Sequence, residues 1–98
     1  MTTVVIPGDQ ICSELDLHRS LASQLDFGPY YGKNLDALWD RLTTDVERPV
    51  HIIWSDSLKS REQLGVKLFD KIVELLREAE ARDAKPGRSD RLTIEIRD

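Results

Sequence analysis

Val50-His51-Ile52-Ile53-Trp54 is almost continuously apolar, and this run determines the architecture of the chain. Such a run is typical of a strand that is covered on both faces or lies in the middle of a small sheet. Two further strands are predicted near the ends of the sequence, over residues 2–6 and 92–97. The first is a β-branched run closed by a proline and a glycine, and the second alternates apolar with polar residues. The alternation predicts that one face of the last strand is exposed to water.

Helical patterns fill the chain between these strands, over residues 13–25, 35–43 and 55–64 and from residue 65 onward. Ser13 followed by Asp16 resembles a capping box, and Asn34 is a good N-cap for the second segment. The third segment is mostly polar, whereas the fourth carries a wide apolar stripe. We therefore expect three to four helices.

The connections between consecutive strands are long enough to contain a helix and to return to the same end of the sheet. Connections of this kind favour parallel pairing with right-handed crossovers. The chain has 98 residues and a mass of 11.2 kDa, which suits one core and is too little for two. The sequence thus predicts a single α/β domain over residues 1–98, with a small three-stranded parallel sheet.

Charge and composition limit the kind of partner. The chain carries 14 lysine and arginine residues against 18 aspartate and glutamate residues, and a net charge of −4 is the wrong sign for binding a row of phosphates. No apolar run approaches a membrane span, and the first residues lack a secretory pattern. Cys12 is alone, which fits a reducing compartment, and His18 and His51 are interpreted as packing or surface residues. We expect a cytoplasmic protein without a cofactor that binds neither nucleic acid nor membranes.

Acidic and aromatic residues are concentrated between residues 26 and 47. This stretch contains five acidic and two basic residues, and four of the six aromatic residues of the chain. Clustered aromatic rings and carboxylates suggest a recognition surface for a basic partner. Tyr30 and Tyr31 lie in a loop broken by glycine and proline, and we expect one of the two rings to be buried.

Asp36 and Asp40 lie four residues apart on the predicted second helix, so their carboxylates share one face. The helix dipole favours Asp36 near the N-terminus and disfavours Asp40 near the C-terminus. One interpretation is an ordinary solvated acidic face. The other is that an external cation offsets the local cost of Asp40, with Trp39 beside it helping to exclude water from the pair.

Two kinds of external cation remain open from the residues alone. A protein partner with an arginine and lysine pocket suits the neighbouring aromatic rings. A metal ion would need a further oxygen ligand, and a metal-dependent hydrolase could then use Asp36, Asp40 and Glu78. Glu78 by itself is interpreted as half of a surface ion pair with Arg82, four residues later.

The stretch Pro29-Tyr30-Tyr31-Gly32-Lys33-Asn34-Leu35-Asp36-Ala37-Leu38-Trp39-Asp40 resembles the barstar family of ribonuclease inhibitors. The resemblance runs nearly end to end. It continues in Gly8-Asp9-Gln10-Ile11 and Asp16-Leu17-His18, in Pro49 and Trp54 around the middle strand, in Leu76-Arg77-Glu78-Ala79 and in the closing strand. It implies a small α/β domain with a three-stranded parallel sheet, which the patterns above predict independently.

The resemblance also implies a role for the acidic segment. The second helix and the loop before it would block the active site of a small secreted guanyl-specific ribonuclease, in a 1:1 complex that protects the producing cell. Asp40 would occupy the pocket for the substrate phosphate, Asp36 would pair with a further basic group, and Tyr30 would lie against the catalytic histidine. The other implied contact residues are Tyr31, Gly32, Asn34, Leu35, Trp39, Leu75 and Glu78.

Three features depart from the family pattern. Thr44-Asp45 replaces a glycine and a tryptophan at the rim, Arg82 stands where an acidic contact would be, and the segment 85–90 is longer. These changes alter the rim and leave the central acidic residues in place. The resemblance therefore implies an inhibitor and not an enzyme. The alternative on the same fold is a binding module for another basic protein.

Overall fold

Three parallel strands form the sheet: β1 (Thr2–Pro7), β2 (Val50–Ser55) and β3 (Leu92–Ile96). The structure is a computed structural model that describes residues 2–84 and 90–98. β2 lies in the middle and pairs with both neighbours in parallel, so that Val4, Ile52 and Ile94 form one row across the sheet. The predicted three-stranded parallel sheet, with the apolar run at its centre, is confirmed.

Four α-helices connect the strands: α1 (Glu14–Leu25), α2 (Leu35–Asp40), α3 (Ser57–Leu64) and α4 (Val66–Asp83). The Ser13 cap predicted before α1 is present, and the return bond of the capping box is displaced by one residue, to the Cys12 N–H. The Ser13 hydroxyl accepts a hydrogen bond from the Asp16 N–H over 3.3 Å, and the Asp16 carboxylate accepts one from the Cys12 N–H over 3.0 Å. Within the described ranges, no helix combines the length and the apolar character that crossing a bilayer requires.

One face of the sheet is buried in the core, and the other is partly open. Every second residue of β2 is fully buried: Val50, Ile52 and Trp54. On the opposite face, His51 lies between two side chains of β3, with Nδ1 2.6 Å from the Thr93 hydroxyl and Nε2 3.3 Å from the Glu95 carboxylate. The water-exposed face predicted for the last strand thus extends across the middle strand.

Side chains pair with the backbone of both sheet edges. At β1, the side-chain amide of Gln24 donates to the Val5 carbonyl over 2.8 Å and accepts from the Val5 N–H over 3.2 Å. At β3, the Glu80 carboxylate accepts from the Ile94 N–H over 2.8 Å, and Arg77 donates to the Ile94 carbonyl over 3.1 Å. These contacts occupy edge groups that would otherwise be open to another chain.

α2 is shorter than the sequence predicted. The helix expected over residues 35–43 ends at Asp40. The next five residues, Arg41–Asp45, form a wider helical turn, closed by the Val46 N–H donating to the Arg41 carbonyl over 3.0 Å. We call this segment the π turn. Its spacing of five residues between donor and acceptor is that of a π-helix, a feature that often occurs at functional sites.

Side chains hold the carbonyl groups in and around the π turn. The hydroxyls of Thr43 and Thr44 donate to carbonyl groups one turn earlier. From beyond the turn, Arg48 donates to the Leu42 carbonyl over 2.5 Å and to the Val46 carbonyl over 2.7 Å. These bonds replace part of the regular α-helical pattern, which explains why α2 is shorter than the helix predicted over residues 35–43.

Candidate partner-binding site

The loop between α1 and α2 is anchored by Tyr31. Its ring is 5 % exposed and packs against Phe27, with 4.7 Å between the ring centroids. Its hydroxyl oxygen lies 2.6 Å from Nδ1 of the fully buried His18, whose Nε2 lies 2.8 Å from the Glu14 carboxylate. Burial raises the pKa of Tyr31 to about 12, with Glu14 adding to the shift and Arg41 opposing it. The phenol therefore stays protonated at neutral pH and can donate to Nδ1.

Tyr30 is turned the opposite way and is 92 % exposed. The expectation that one of the two rings is buried is confirmed. Because the buried residue is Tyr31, this implied contact residue offers a partner little surface. Gly32 follows on the surface, where a Cβ atom would lie 3.3 Å from Nδ2 of Asn34. Asn34 caps α2 as predicted, since its Oδ1 accepts from the Ala37 N–H over 2.8 Å.

The exposed face of α2 carries two carboxylates that have no ion-pair partner among the described residues. Asp36 and Asp40 are both exposed. Over residues 2–84 and 90–98, neither side chain forms an ion pair. Arg41, the next basic residue, pairs with Asp45 and lies over the ring of Phe27, 6.0 Å from its centroid. The negative charge of α2 is thus available to another molecule.

A groove of about 490 Å³ separates α2 from α4. We call it the acidic groove. Its lining comprises Asn34, Leu35, Asp36, Trp39, Lys71, Glu74, Leu75 and Glu78. Three carboxylates and one ammonium group therefore line it. The groove joins six of the predicted contact residues, including Leu75 and Glu78, which lie far from the others in sequence. Trp39 is half-buried and packs against the core.

The remaining predicted residues lie outside the groove lining: Tyr30, Tyr31, Gly32 and Asp40. Tyr30 and Gly32 are on the surface of the loop before α2, and Asp40 is at the last position of α2. The candidate site is therefore a surface of three parts: the loop, the exposed face of α2 and the acidic groove.

Lys71 and Glu74 line the acidic groove and were not identified as site residues from the sequence. Their spacing contains a signal, because Lys71, Glu74 and Glu78 recur at three and four residues and so share one face of α4. The sequence does not say which face of α4 lies beside α2. That relation depends on packing between helices that are separated by about 30 residues, and it requires the structure.

The three carboxylates of the metal-site alternative do not all line one groove of the described residues. Asp36 and Glu78 both line the acidic groove, but Asp40 does not. No group of three histidine, cysteine, aspartate or glutamate residues able to hold a metal ion occurs in the part of the chain that the structure describes. The surface ion pair considered for Glu78 and Arg82 is also absent from these residues, since both side chains are exposed and unpaired there.

The residues that depart from the family pattern lie in the π turn and at the end of α4. Thr44 and Asp45 belong to the π turn, and Asp45 is held by Arg41 over 3.2 Å. Arg82 lies in the last turn of α4. The longer connection expected over residues 85–90 lies, apart from Asp90, outside the described residues.

These features define a small α/β protein that presents carboxylates on a short helix beside a long one, at an open surface. In agreement with this class, residues 1–95 match the model of the family described as Barstar (barnase inhibitor). The chain belongs to the barstar family, which confirms the resemblance seen in the sequence. A relative from Bacillus subtilis (strain 168), named "Putative ribonuclease inhibitor YrdF", is 38 % identical over 80 residues, which cover 82 % of this chain and 87 % of the relative.

Proposed function

We propose that this protein inhibits a small secreted ribonuclease by occupying its active site with the three-part surface described above. The observation that carries the proposal is that Asp36 and Asp40 are exposed on α2 and are left unpaired by the described residues. Membership of the barstar family and the printed name of the Bacillus relative support it.

The physical basis of inhibition is charge mimicry of RNA. A nuclease active site must hold basic groups where the phosphate of the substrate binds. Two carboxylates four residues apart on a helix lie about 6 Å from each other at their Cβ atoms and supply negative charge without a bond to cleave. We place Asp40 in the phosphate pocket and Asp36 against a further basic group of the nuclease.

Rigidity of the surface adds to its affinity. α2 is fixed by the Asn34 cap and by the fully buried Leu38, and the loop before it is fixed by Tyr31. A surface that is already ordered loses less entropy on docking than flexible RNA. Tyr30 and Trp39 add aromatic area beside the charges, which excludes water from the ion pairs.

Opposite charges also steer the encounter between the inhibitor and the nuclease, so association should be fast and should slow as salt is added. A complex of this same family is a standard example of this effect. The net charge of −4 and the single Cys12 suit a cytoplasmic inhibitor of a basic partner. We further propose that the target is of the guanyl-specific type and that the complex is 1:1, without catalysis and without a cofactor.

The test is an RNA-cleavage assay with a panel of small secreted guanyl-specific ribonucleases, together with barnase, which the description of the family names. We expect at least one nuclease to be inhibited completely at about one equivalent of the protein. Asp36→Asn should weaken this inhibition, whereas the matched control Asp9→Asn should not, because Asp9 is exposed in the short turn that follows β1, away from the site. A protein that inhibits no member of the panel would contradict the proposal and favour another basic partner.

A further inference from the structure

A second groove follows the acidic groove along α4. Its volume is about 440 Å³, and its lining comprises Thr43, Thr44, Val46, Arg48, Ala79, Arg82 and Asp83. Glu78 of the acidic groove and Arg82 of the second groove lie four residues apart and so share one face of α4. A partner that covers the acidic groove and the end of α2 therefore also meets the second groove, which lies between the π turn and the C-terminal part of α4.

Most of the charge in the second groove is neutralised internally. Arg48 Nε donates to the Asp83 carboxylate over 2.9 Å, and the side chains of both residues are about nine-tenths buried. The other guanidinium nitrogens of Arg48 donate to the carbonyls of Leu42 and Val46. All three guanidinium nitrogens of Arg48 therefore bond within the chain and stabilise the fold. Arg82, by contrast, is exposed and makes no ion pair with the described residues, so it is the cation that this groove offers to a partner.

The sign of the surface charge therefore changes along α4. Glu78 and Arg82 lie one turn apart, about 6 Å along the helix axis. A glutamate four residues before an arginine is the favourable order for an ion pair within a helix. The two side chains do not pair, so Glu78 contributes negative charge to the acidic groove and Arg82 positive charge to the second groove.

We propose that Arg82 is a specificity-determining residue, which selects ribonucleases that carry a carboxylate at the margin of their basic active site, opposite the second groove. This inference rests on the proposed function. A nuclease with a lysine or arginine at that point would meet a like charge and bind less well, even though its active site fits Asp36 and Asp40. Arg82 thus distinguishes among nucleases whose basic active sites all fit Asp36 and Asp40.

Arg82 also has a simpler role that the experiment must separate from specificity. It lies in the last turn of α4, where a cation stabilises the helix dipole. The matched control is Arg61, which lies in the last turn of α3, is exposed and lines neither of the two grooves. If Arg82 acted only through the helix, Arg82→Gln and Arg61→Gln would both lower the melting temperature slightly, and neither would change the inhibition constant.

The measurement is the inhibition constant of Arg82→Gln, Arg82→Glu, Arg82→Lys and Arg61→Gln against the nuclease of the panel that the wild-type protein inhibits most tightly. We expect weakening of about 3-fold for Arg82→Gln and about 10-fold for Arg82→Glu, sizes that suit an exposed ion pair and its reversal. Arg82→Lys and Arg61→Gln should stay within about 2-fold of the wild type. In a double-mutant cycle, neutralising one carboxylate at the margin of the nuclease active site should abolish the effect of Arg82→Gln.

Two outcomes separate this inference from the proposed function. One outcome is that the wild-type protein and all Arg82 variants inhibit the nuclease equally, or that Arg82→Glu inhibits it more tightly. The proposal that Arg82 determines specificity is then wrong, and the proposed inhibitor function stands. If the wild-type protein inhibits no nuclease of the panel, both are wrong.

Discussion

Arg41 pairs with Asp45, with 3.2 Å between Arg41 Nη1 and Asp45 Oδ2, and not with its sequence neighbour Asp40, which has no ion-pair partner among the described residues. Adjacent residues on a helix point roughly 100° apart, whereas residues four apart share a face. The only basic residue between Leu35 and Asp45 is therefore turned away from the acidic surface. An arginine directed at Asp40 would neutralise the carboxylate that the proposed function requires.

Tyr31→Phe tests the anchor of the loop before α2. The substitution removes only the hydroxyl and leaves a ring nitrogen of the buried His18 without its partner. We expect the free energy of unfolding to fall by about 1–2 kcal/mol, as for a lost buried hydrogen bond, in a urea titration. Tyr30→Phe is the control, because Tyr30 is 92 % exposed, and it should change stability by less than about 0.5 kcal/mol. Equal losses in the two variants would contradict the anchoring role.

The same phenol should make the protein less stable in alkali. The pKa of Tyr31 is raised from its ordinary value of 10.0 to about 12, so the folded state favours the protonated phenol. Its contribution to stability is complete below pH 10 and is lost as the pH rises towards 12, by an amount on the order of 1–3 kcal/mol. Unfolding titrations across this range should show a steeper loss for the wild type than for Tyr31→Phe. Parallel curves would show that Tyr31 ionises as easily in the folded chain as in the unfolded chain.

Gln24→Ala tests the protection of the β1 edge. The side chain of Gln24 makes two hydrogen bonds to the backbone of Val5, a residue that is itself 44 % exposed. Its loss should lower stability by about 1 kcal/mol and open a strand edge to a second copy. We expect light scattering to detect self-association at high concentration for this variant but not for Gln63→Ala, an exposed position on α3. A monomeric Gln24→Ala protein of unchanged stability would show that the edge needs no such protection.

The sequence predicts the sheet well because its determinants are local. The run around Ile52 is apolar and β-branched, and a strand of that kind needs neighbours on both sides. The cap at Asn34 is equally local, because its side chain bonds to a backbone group three residues later. The sequence does not predict the end of α2, because that end depends on Arg48, which donates to the Leu42 carbonyl within the π turn and to the Val46 carbonyl just after it. No periodicity within residues 35–43 contains that contact.

Part of the candidate site can likewise be predicted from local sequence, and part depends on long-range packing. The carboxylates of α2 follow from spacing alone, since Asp36 and Asp40 share a helix face. The acidic groove does not follow from spacing, because it depends on which face of α4 packs beside α2. That packing places Lys71 and Glu74 in the lining of the groove. The orientation of Tyr31 also depends on long-range packing, through the buried His18 on α1. The sequence predicts that one of the two tyrosines is buried but not which one.

The most direct test of the account compares Asp40→Asn with the wild-type protein in two measurements, the inhibition constant for the ribonuclease and the free energy of unfolding. We expect inhibition to weaken by at least about 30-fold, or about 2 kcal/mol, as for a hot-spot residue, a class for which this family is itself a reference case. Stability should be unchanged or should rise by a few tenths of a kcal/mol, because Asp40 lies at the unfavourable end of α2. Retained inhibition together with a loss of stability would show that Asp40 serves the fold and would contradict the account.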